Sequence, residues 1–329
     1  MTQPYIIAEA AQGFEGNVDV SKLLVRSAAK AGASAIKFQC VYADDLAEKG
    51  YEYYDLFRSL EMPVSAWQEI RELCRTLKID FILDIFGTDS LELARTLKPE
   101  GIKIHSTCFF DREFIRQTVD LGTYIYLSAG GIELDEIKDC LDAFDFQKKE
   151  NFTLMYGYQA EPTPIESNNL GRIPALRREL GISSIGFMDH SDGDSVYTET
   201  LSAVALGLGV RVFEKHITLD RQLEMEDYVS ALSPRAFSHY VTQMKNLSLA
   251  VGSDQLSLTE AEQKYRGRAI KRVVASADLT PGTILDLNHI KLSRASDMKG
   301  AYKLEDILNK KLTQPLKKGQ GIEKSAVAS

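Results

Sequence analysis

The sequence predicts an α/β fold in which a (β/α)₈ TIM barrel is followed by a small β-rich domain. Two observations lead to this prediction. Over roughly the first 250 residues, short apolar runs rich in β-forming residues alternate about eight times with amphipathic stretches. After about Val251 the alternation stops, and short β-like runs broken by turn residues such as Pro281-Gly282 take its place.

Each apolar run has the length and composition of a buried strand. In chain order the candidate strands are Tyr5–Ala10, Ala33–Gln39, Asp80–Phe86, Gly101–Ser106, Thr123–Ala129, Phe152–Tyr158, Ser184–His190 and Val210–Thr218. The stretches between them, such as residues 18–33, space their apolar residues as one face of a helix does. A doubly wound open sheet also alternates, but it usually has fewer strands and often a Gly-rich first turn, which is absent here.

The change in pattern gives the domain boundaries. Residues 1–250 are expected to form the catalytic barrel, residues 251–267 a polar linker, and residues 268–329 the β-rich domain. A domain of that size is too small to hold a barrel's active site. Its expected role is to cover a site or to bind a partner.

Composition and charge exclude several classes of protein. The net charge of −8 argues against a nucleic-acid-binding protein, which needs a basic face. No apolar stretch approaches the length of a membrane span, and the start of the chain lacks the basic and apolar regions of a secretory signal. The four cysteines fit neither a zinc pattern nor a disulfide framework. These features predict a cytoplasmic protein with no nucleic-acid or membrane partner.

Polar side chains occur at the end of nearly every candidate strand, where a (β/α)₈ barrel places its active site. Unpaired charges are costly to bury, so structure alone hardly explains so many of them. In strand order these residues are Glu9, Lys37, Gln39, Asp84, Lys103, Ser106, Ser128, Tyr156, Tyr158, Asp189, His190, Glu214, Lys215 and His216. Strand alternation puts Lys215 on the opposite face from Glu214 and His216, so it ranks lower as a site residue.

Two of the five histidines, His190 and His216, close neighbouring candidate strands. Neighbouring strands lie about 5 Å apart, so both imidazoles are within reach of one metal ion. Either histidine alone is more simply explained as a core residue bonded to a backbone carbonyl. The pair favours a metal, and nitrogen ligands suit Mn²⁺, Fe²⁺, Co²⁺ or Zn²⁺ better than Mg²⁺.

Two lysines, Lys37 and Lys103, are expected to point into the same barrel mouth. Their mutual repulsion favours an anion between them, either a phosphate or a carboxylate. Ser106 and Ser128 supply further hydrogen-bond donors. The alternative is that each lysine is neutralised by Glu9, Asp84 or Glu214.

Several motifs resemble the sialic acid synthase family. They are KFQ at Lys37–Gln39, LSAGG at Leu127–Gly131, EPTPIESNNL at Glu161–Leu170, GFMDH at Gly186–His190 and EKHITLD at Glu214–Asp220. The C-terminal segments DLTPGTIL and KKGQGI resemble that family's antifreeze-like domain, also called the SAF domain. The resemblance runs in order along nearly the whole chain.

The resemblance implies a synthase that condenses phosphoenolpyruvate with an open-chain aldose to give a sialic-acid-like 3-deoxy-2-ketoaldonic acid and phosphate. It also implies a domain-swapped homodimer, in which the small domain of one subunit caps the barrel of the other. The implied phosphoenolpyruvate residues are Lys37, Gln39, Lys103, Ser106, Ser128 and Asn169. The implied catalytic residues are Glu214, Glu9 and Lys103, and the implied acceptor residues are Arg294, Tyr158, Asp189 and Asp227. His190 and His216 would hold a divalent metal, Mn²⁺ first, with Mg²⁺ or Co²⁺ as alternatives.

The departures from the family concentrate on the acceptor side. An Asn-His turn of the family is replaced by Gly13-Phe14, a Ser-Gly-Glu segment by Ser106-Thr107-Cys108, and a Pro-Asp-His segment by Glu226-Asp227-Tyr228. A site built for one polar group rejects analogues strongly, so these changes predict an acceptor other than N-acetylmannosamine.

Two other functions remain open. A Schiff-base aldolase would use Lys37 or Lys103 as its nucleophile, but that reading leaves the paired histidines unexplained. A non-catalytic sugar- or anion-binding relative would explain the changed acceptor residues.

Overall fold

Eight parallel strands close into a barrel in sequence order, with β8 hydrogen bonded back to β1. This arrangement is seen in a computed structural model, which describes residues 3–328. The strands are β1 (Tyr5–Ala11), β2 (Ala35–Cys40), β3 (Asp80–Ile85), β4 (Gly101–Ile104), β5 (Tyr124–Ser128), β6 (Phe152–Tyr156), β7 (Ile185–Asp189) and β8 (Val212–His216). The predicted (β/α)₈ barrel is therefore confirmed. Several strands, such as β4 and β8, are shorter than the sequence suggested.

Helices follow the strands and cover the outside of the barrel. They are α1 (Val18–Ala31), α2 (Ala43–Leu46), α3 (Tyr54–Ser59), α4 (Val64–Leu77), α5 (Thr88–Leu97), α6 (Arg112–Val119), α7 (Leu134–Ala143), α8 (Arg172–Leu180), α9 (Thr198–Gly207) and α10 (Pro234–Val251). The apolar faces of these helices and the outward-facing strand residues form the largest buried cluster. None of the helices in residues 3–328 is long and apolar enough to cross a membrane.

The inside of the barrel holds a second, smaller apolar cluster that includes Ile7, Ala35, Ile82 and Met188. Side chains on a strand alternate between faces, so a residue two positions later faces inward again. Two positions beyond these four residues stand Glu9, Lys37, Asp84 and His190. An apolar plug thus closes the barrel below, and polar groups fill its C-terminal end.

The Gly13-Phe14 departure has a packing reason. The Phe14 side chain is fully buried, and its ring meets those of Phe38 and Trp67 edge-to-face at 5.8 and 5.6 Å. A Cβ atom on Gly13 would lie 2.9 Å from the carbonyl oxygen of Glu226, so a larger residue would displace that loop. The turn after β1 is therefore anchored in the outer core, and Phe14 is not available to a substrate.

The chain separates into two compact units between Ser253 and Asp254. The second unit contains α11 (Glu260–Ala269) and an antiparallel pair, β9 (Arg272–Ala275) and β10 (Ile290–Ser293). Its own core includes Val273, Leu285 and Ile307.

The segment expected to be a linker is partly helical. Helix α10 continues to Val251, and α11 lies mostly within residues 251–267. Thr259 and Glu262 form a capping box at the start of α11, which satisfies backbone N–H groups there. None of the α11 residues is buried, so the segment lacks the apolar periodicity by which a helix is recognised in sequence.

Candidate active site

A buried network of charged side chains lies at the C-terminal end of the barrel. The Lys37 ammonium contacts the Glu9 carboxylate and lies 3.1 Å from Asp84 Oδ2 and 3.5 Å from Glu214 Oε1. Lys103 Nζ donates to Glu214 Oε1 at 2.8 Å and lies 3.6 Å from Asp84 Oδ2. The structure thus brings both predicted anion-binding lysines together, and it also shows the pairing with carboxylates that was the alternative.

The network has one more carboxyl group than it has ammonium groups, and the pKa values reflect this excess. Burial raises the pKa of Glu9 to about 8, against the opposing effect of Lys37. Burial would also raise the pKa of Glu214, but Lys103 and Lys37 outweigh it and hold that pKa below its ordinary value. The carboxylates of Asp84, Glu214 and Glu9 overcome desolvation and raise the pKa of Lys37. Near neutral pH, one proton on Glu9 makes the network electrically neutral.

Glu9→Gln tests this protonation state. In the folded chain Glu9 keeps its proton up to about pH 8, whereas the ordinary pKa of a glutamate is 4.5. The stability that Glu9 contributes is therefore lost as the pH rises between these two values. We expect the free energy of unfolding of Glu9→Gln, relative to that of the unsubstituted protein, to increase as the pH rises. Urea titrations from pH 5 to 8 measure both free energies.

The slope with pH is the quantity to compare, because the change of shape and hydrogen bonding from a carboxyl group to an amide shifts the stability of Glu9→Gln equally at every pH. Glu69→Gln, at an exposed position, is the matched control. Parallel pH profiles for Glu9→Gln and the unsubstituted protein would contradict a protonated Glu9.

His190 and His216 stand beside the network at the ends of β7 and β8. Their ring centroids are 5.0 Å apart, and Nδ1 of each ring is buried without a hydrogen-bond partner. Burial lowers the pKa of His190 to about 3, and that of His216 also falls well below its ordinary value. Neutral imidazoles with unused ring nitrogens fit a divalent metal. His190 and His216 are the residues that would hold such an ion, and within residues 3–328 no cluster of three or more His, Cys, Asp or Glu side chains forms a metal site.

The predicted serines and Asn169 occupy different surroundings. Ser128 is fully buried and accepts a hydrogen bond from Gln159 Nε2 at 3.2 Å. Ser106 is half-buried in a short 3₁₀ turn after β4. Asn169 is exposed, and its side-chain amide donates to the Ser167 carbonyl at 3.0 Å.

Gln159 is a site candidate that the sequence analysis missed. The amide of Asn169 is directed to its own loop, whereas Gln159 reaches Ser128 at the barrel mouth. A signal was present, because Gln159 follows β6 closely and the other selected residues lie near strand ends. Gln159 is therefore better placed than Asn169 to contact a substrate anion.

Asp189 does not face the barrel interior. It is buried on the outer side of β7, where its Oδ2 lies 3.5 Å from Lys215 Nζ and its Oδ1 accepts the Ser191 N–H at 2.8 Å. Lys215 also donates to the Ser191 carbonyl at 2.9 Å. Strand alternation places Lys215 of β8 on the opposite face from Glu214. It places Asp189, the partner of Lys215 on the adjacent strand β7, on that same outer face. The proposed acceptor role of Asp189 is therefore replaced by a structural role.

Asp227 lies at the rim, where its Oδ2 accepts the Gln12 N–H at 3.2 Å. Gln12 Nε2 in turn donates to Gln39 Oε1 at 2.9 Å, so one chain of hydrogen bonds joins Asp227 to the end of β2. Burial and the neighbouring Glu161 carboxyl raise the pKa of Asp227 to about 7. Gln39 and Asp227 are thus joined through Gln12 at the rim, and their substrate-binding roles remain predictions.

Two other predicted acceptor residues are exposed. Tyr158 lines a cavity of about 380 Å³ beside Gly130, Gly131 and Arg172. Arg294 belongs to the C-terminal unit, where its Nε donates to the Ala269 carbonyl at 3.3 Å. The acceptor roles of both residues remain predictions.

Comparison with known proteins assigns the chain to a family. The model described as "NeuB family" matches residues 24–256, and the model described as "SAF domain" matches residues 271–328. The chain belongs to the NeuB family. The resemblance found in the sequence, to sialic acid synthases with a C-terminal SAF domain, is thereby confirmed.

Named relatives of this NeuB-family chain match over most of its length. It is 26% identical to N,N'-diacetyllegionaminic acid synthase of Campylobacter jejuni, covering 97% of this chain and 99% of the relative. It is 26% identical to N-acetylneuraminate-9-phosphate synthase of Homo sapiens, covering 93% of this chain and 86% of the relative. A crystal structure of the sialic acid synthetase of Leptospira borgpetersenii in complex with citrate is 25% identical, with a TM-score of 0.74 and coverage of 82% and 93%.

These relatives are synthases, and the prediction that the chain is a phosphoenolpyruvate-dependent synthase of this family is confirmed. They differ in the products that their names give, so they leave the acceptor of this chain open.

Proposed function

We propose that this NeuB-family enzyme condenses phosphoenolpyruvate with an open-chain aldose other than N-acetylmannosamine, with the help of a divalent metal. The products are a 3-deoxy-2-ketoaldonic acid and inorganic phosphate. The observation that carries the proposal is the convergence of Lys37, Lys103 and Glu214 beside His190 and His216 at one end of the barrel.

Charge balance supports the metal. Lys37 and Lys103 are already matched by carboxylates, so a multiply charged phosphoenolpyruvate anion needs further positive charge near it. His190 and His216 are the residues that would hold the ion, and Mn²⁺ suits their nitrogen donors. When bound, such an ion supplies Lewis acidity toward the oxygen of the acceptor aldehyde.

The reaction balances without an oxidant or reductant. The C3 carbon of phosphoenolpyruvate forms a bond to the aldehyde carbon, whose oxygen becomes a hydroxyl group. Water adds to C2, and one of its protons passes to the former aldehyde oxygen. The bond from C2 to the phosphate oxygen then breaks to leave the ketone, and the departing phosphate takes the other proton. Glu214 is the group suited to orient that water, because Lys103 and Lys37 hold its pKa below its ordinary value and so keep it a hydrogen-bond-accepting carboxylate. Lys103 hydrogen bonds to Glu214 and is suited to position it beside the substrate anion.

The Schiff-base aldolase is less consistent with this geometry. Its nucleophile must be a neutral amine, whereas the Asp84, Glu214 and Glu9 carboxylates raise the pKa of Lys37 despite its burial. Trapping with pyruvate and borohydride is expected to give no covalent adduct.

The experiment that tests the proposal measures phosphate release from phosphoenolpyruvate with a panel of aldoses and Mn²⁺. Release that depends on one aldose, stops with EDTA and returns with Mn²⁺ supports it. Phosphoenolpyruvate binding without release for any aldose would favour the non-catalytic relative. Release that EDTA does not affect would remove the metal from the proposal.

We further propose a cytoplasmic homodimer in which the SAF domain of one subunit caps the barrel of the other. Support comes from the similarity of the chain to its synthase relatives across both domains, and from four free cysteines. Sedimentation velocity tests the dimer.

Arg294→Ala tests the cap. We expect it to raise the KM for the aldose by about 10-fold or more, as loss of a hydrogen bond from a charged group would, and to leave the KM for phosphoenolpyruvate unchanged. Lys291→Ala, an exposed residue of β10, is the matched control. Unchanged aldose kinetics in Arg294→Ala would rule out its acceptor role.

A further inference from the structure

A cavity of about 520 Å³ lies over the ends of the first four strands. Gln39, Phe86 and His105 form part of its wall, and each follows a member of the charged network by two positions: Lys37, Asp84 and Lys103. The cavity therefore adjoins the proposed reaction site. No residue of its wall was selected by the sequence analysis except Gln39.

The outer wall is apolar and comes from the segment that joins β2 to α4. Leu46, Ala47, Tyr51 and Phe57 line it, and the rings of Tyr51 and Phe57 stack at 6.1 Å with an interplanar angle of 21°. Aromatic faces of this kind pack against apolar carbon of a ligand.

This wall is held in place by polar contacts at its base. Arg58 pairs with Asp44 at 2.7 Å and with Glu61 at 3.0 Å, and Glu61 accepts the Ala43 N–H at 2.8 Å. Asp45 Oδ2 accepts the backbone N–H groups of residues 89 and 90 at 2.9 and 3.1 Å, which fastens α2 to the first turn of α5. The cavity is thus largely formed before any ligand enters.

Among residues 3–328, the cavity wall carries no lysine or arginine, and its one formally charged side chain is that of Glu48. His105 does not supply a cation either, because burial lowers its pKa to about 4. A phosphate group in this cavity would lose its hydration without gaining a cationic partner, and it would meet a carboxylate.

His105 offers one directed hydrogen bond. Its Nδ1 accepts the Thr107 N–H at 3.3 Å, so the proton of the neutral ring lies on Nε2. The ring is held against Phe86 at a centroid distance of 5.2 Å. Nε2–H is thereby a donor for a hydroxyl or carbonyl oxygen.

We infer that this cavity receives an uncharged, partly apolar portion of the acceptor, in which a deoxygenated or N-acylated carbon packs against the apolar wall. His105 determines specificity by donating a hydrogen bond to a hydroxyl or carbonyl oxygen of that same portion. The inference rests on the proposed function. It narrows the substrate class to aldoses that carry no phosphate group on the portion that enters the cavity.

The test uses two matched sugar series, built on mannose and on N-acetylmannosamine, each as the 6-deoxy, parent and 6-phosphate form. Binding to the full-length enzyme with phosphoenolpyruvate and Mn²⁺ is measured by ligand-observed NMR titration, and phosphate release is measured in parallel. In at least one series, we expect the 6-deoxy sugar to bind at least as tightly as the parent and the 6-phosphate to bind at least tenfold more weakly than the parent.

Two variants test the assigned contacts. His105→Phe keeps an aromatic ring but removes the donor, and we expect it to weaken binding of the preferred sugar by about 2- to 10-fold, as loss of one hydrogen bond does, with phosphoenolpyruvate affinity unchanged. His239→Phe, at an exposed position of α10, is the control. Ala47→Arg adds a cation to the cavity, and we expect it to improve 6-phosphate binding at least fivefold.

Equal or tighter binding of the 6-phosphates, no binding of any sugar, or unchanged sugar affinity in His105→Phe would overturn the inference. Failure of the proposed function is distinguishable, because phosphoenolpyruvate would then fail to bind or would release no phosphate with any aldose.

Discussion

Lys37→Ala is expected to abolish turnover of phosphoenolpyruvate and to lower the free energy of unfolding by about 3–5 kcal/mol. Lys37 is 1% exposed and contacts three carboxyl groups, those of Glu9, Asp84 and Glu214. Removing one partner of a buried ion pair leaves the remaining charge without compensation. Here Lys103, which pairs with Asp84 and Glu214, would be left to balance three carboxyl groups. Urea denaturation gives the stability, and calorimetry gives the phosphoenolpyruvate affinity.

The control for Lys37→Ala is Lys22→Ala, which removes a partly exposed lysine paired with Glu69. Its expected cost is below about 1 kcal/mol, because surface ion pairs contribute little. Destabilisation of Lys37→Ala should diminish at low pH, where protonation of the three carboxyl groups removes the uncompensated charge. Equal stability of the two lysine variants at neutral pH would show that the buried network does not hold the barrel together.

The sequence predicted the charged network because inward-facing positions recur every second residue along a strand. Glu9, Lys37, Lys103 and Glu214 could be selected in this way, and the structure brings all four together. Strand alternation was used to place Lys215 of β8 outside the barrel, but it was not applied to Asp189 of the neighbouring strand β7. Asp189 was therefore assigned to the mouth although it pairs with Lys215 outside the barrel.

Loop residues were harder to predict, because their positions depend on tertiary contacts. Asn169 and Gln159 both follow β6, and only the course of the chain between them shows which amide reaches Ser128. The segment from α2 to α3 is polar in places and lacks a clear period. Its role as a cavity wall depends on Asp45, which caps a helix more than forty residues further along the chain.

His105 was overlooked for a related reason. Ser106, the next residue, was predicted to be the functional end of β4. In the structure β4 ends at Ile104, and the turn that follows places His105 on the cavity wall. His105 stands two positions after the inward-facing Lys103, so strand alternation would have predicted that it also faces inward.

His216→Ala is expected to lower metal affinity and metal-dependent phosphate release at least about 100-fold while leaving the barrel folded. Loss of an outer-shell partner of a metal ligand already costs about 10- to 100-fold, and the loss of one of two protein ligands should cost no less. Mn²⁺ titration by calorimetry or electron paramagnetic resonance measures binding independently of activity.

We expect His216→Ala to change the free energy of unfolding much less than it changes the metal affinity. The Nδ1 atom of His216 is buried without a hydrogen-bond partner, so truncation removes an unsatisfied polar group together with some packing. A buried imidazole with an unpaired ring nitrogen contributes little to the stability of the fold. This favours a role for His216 in binding. His239→Ala is the matched control, since its side chain is exposed on α10 and contacts Glu199 and Gln243, each at 3.5 Å. If His216→Ala kept full Mn²⁺ affinity, or if His239→Ala lost as much, the two imidazoles between β7 and β8 would not be the metal ligands, and the lysine network alone would have to hold the substrate anion.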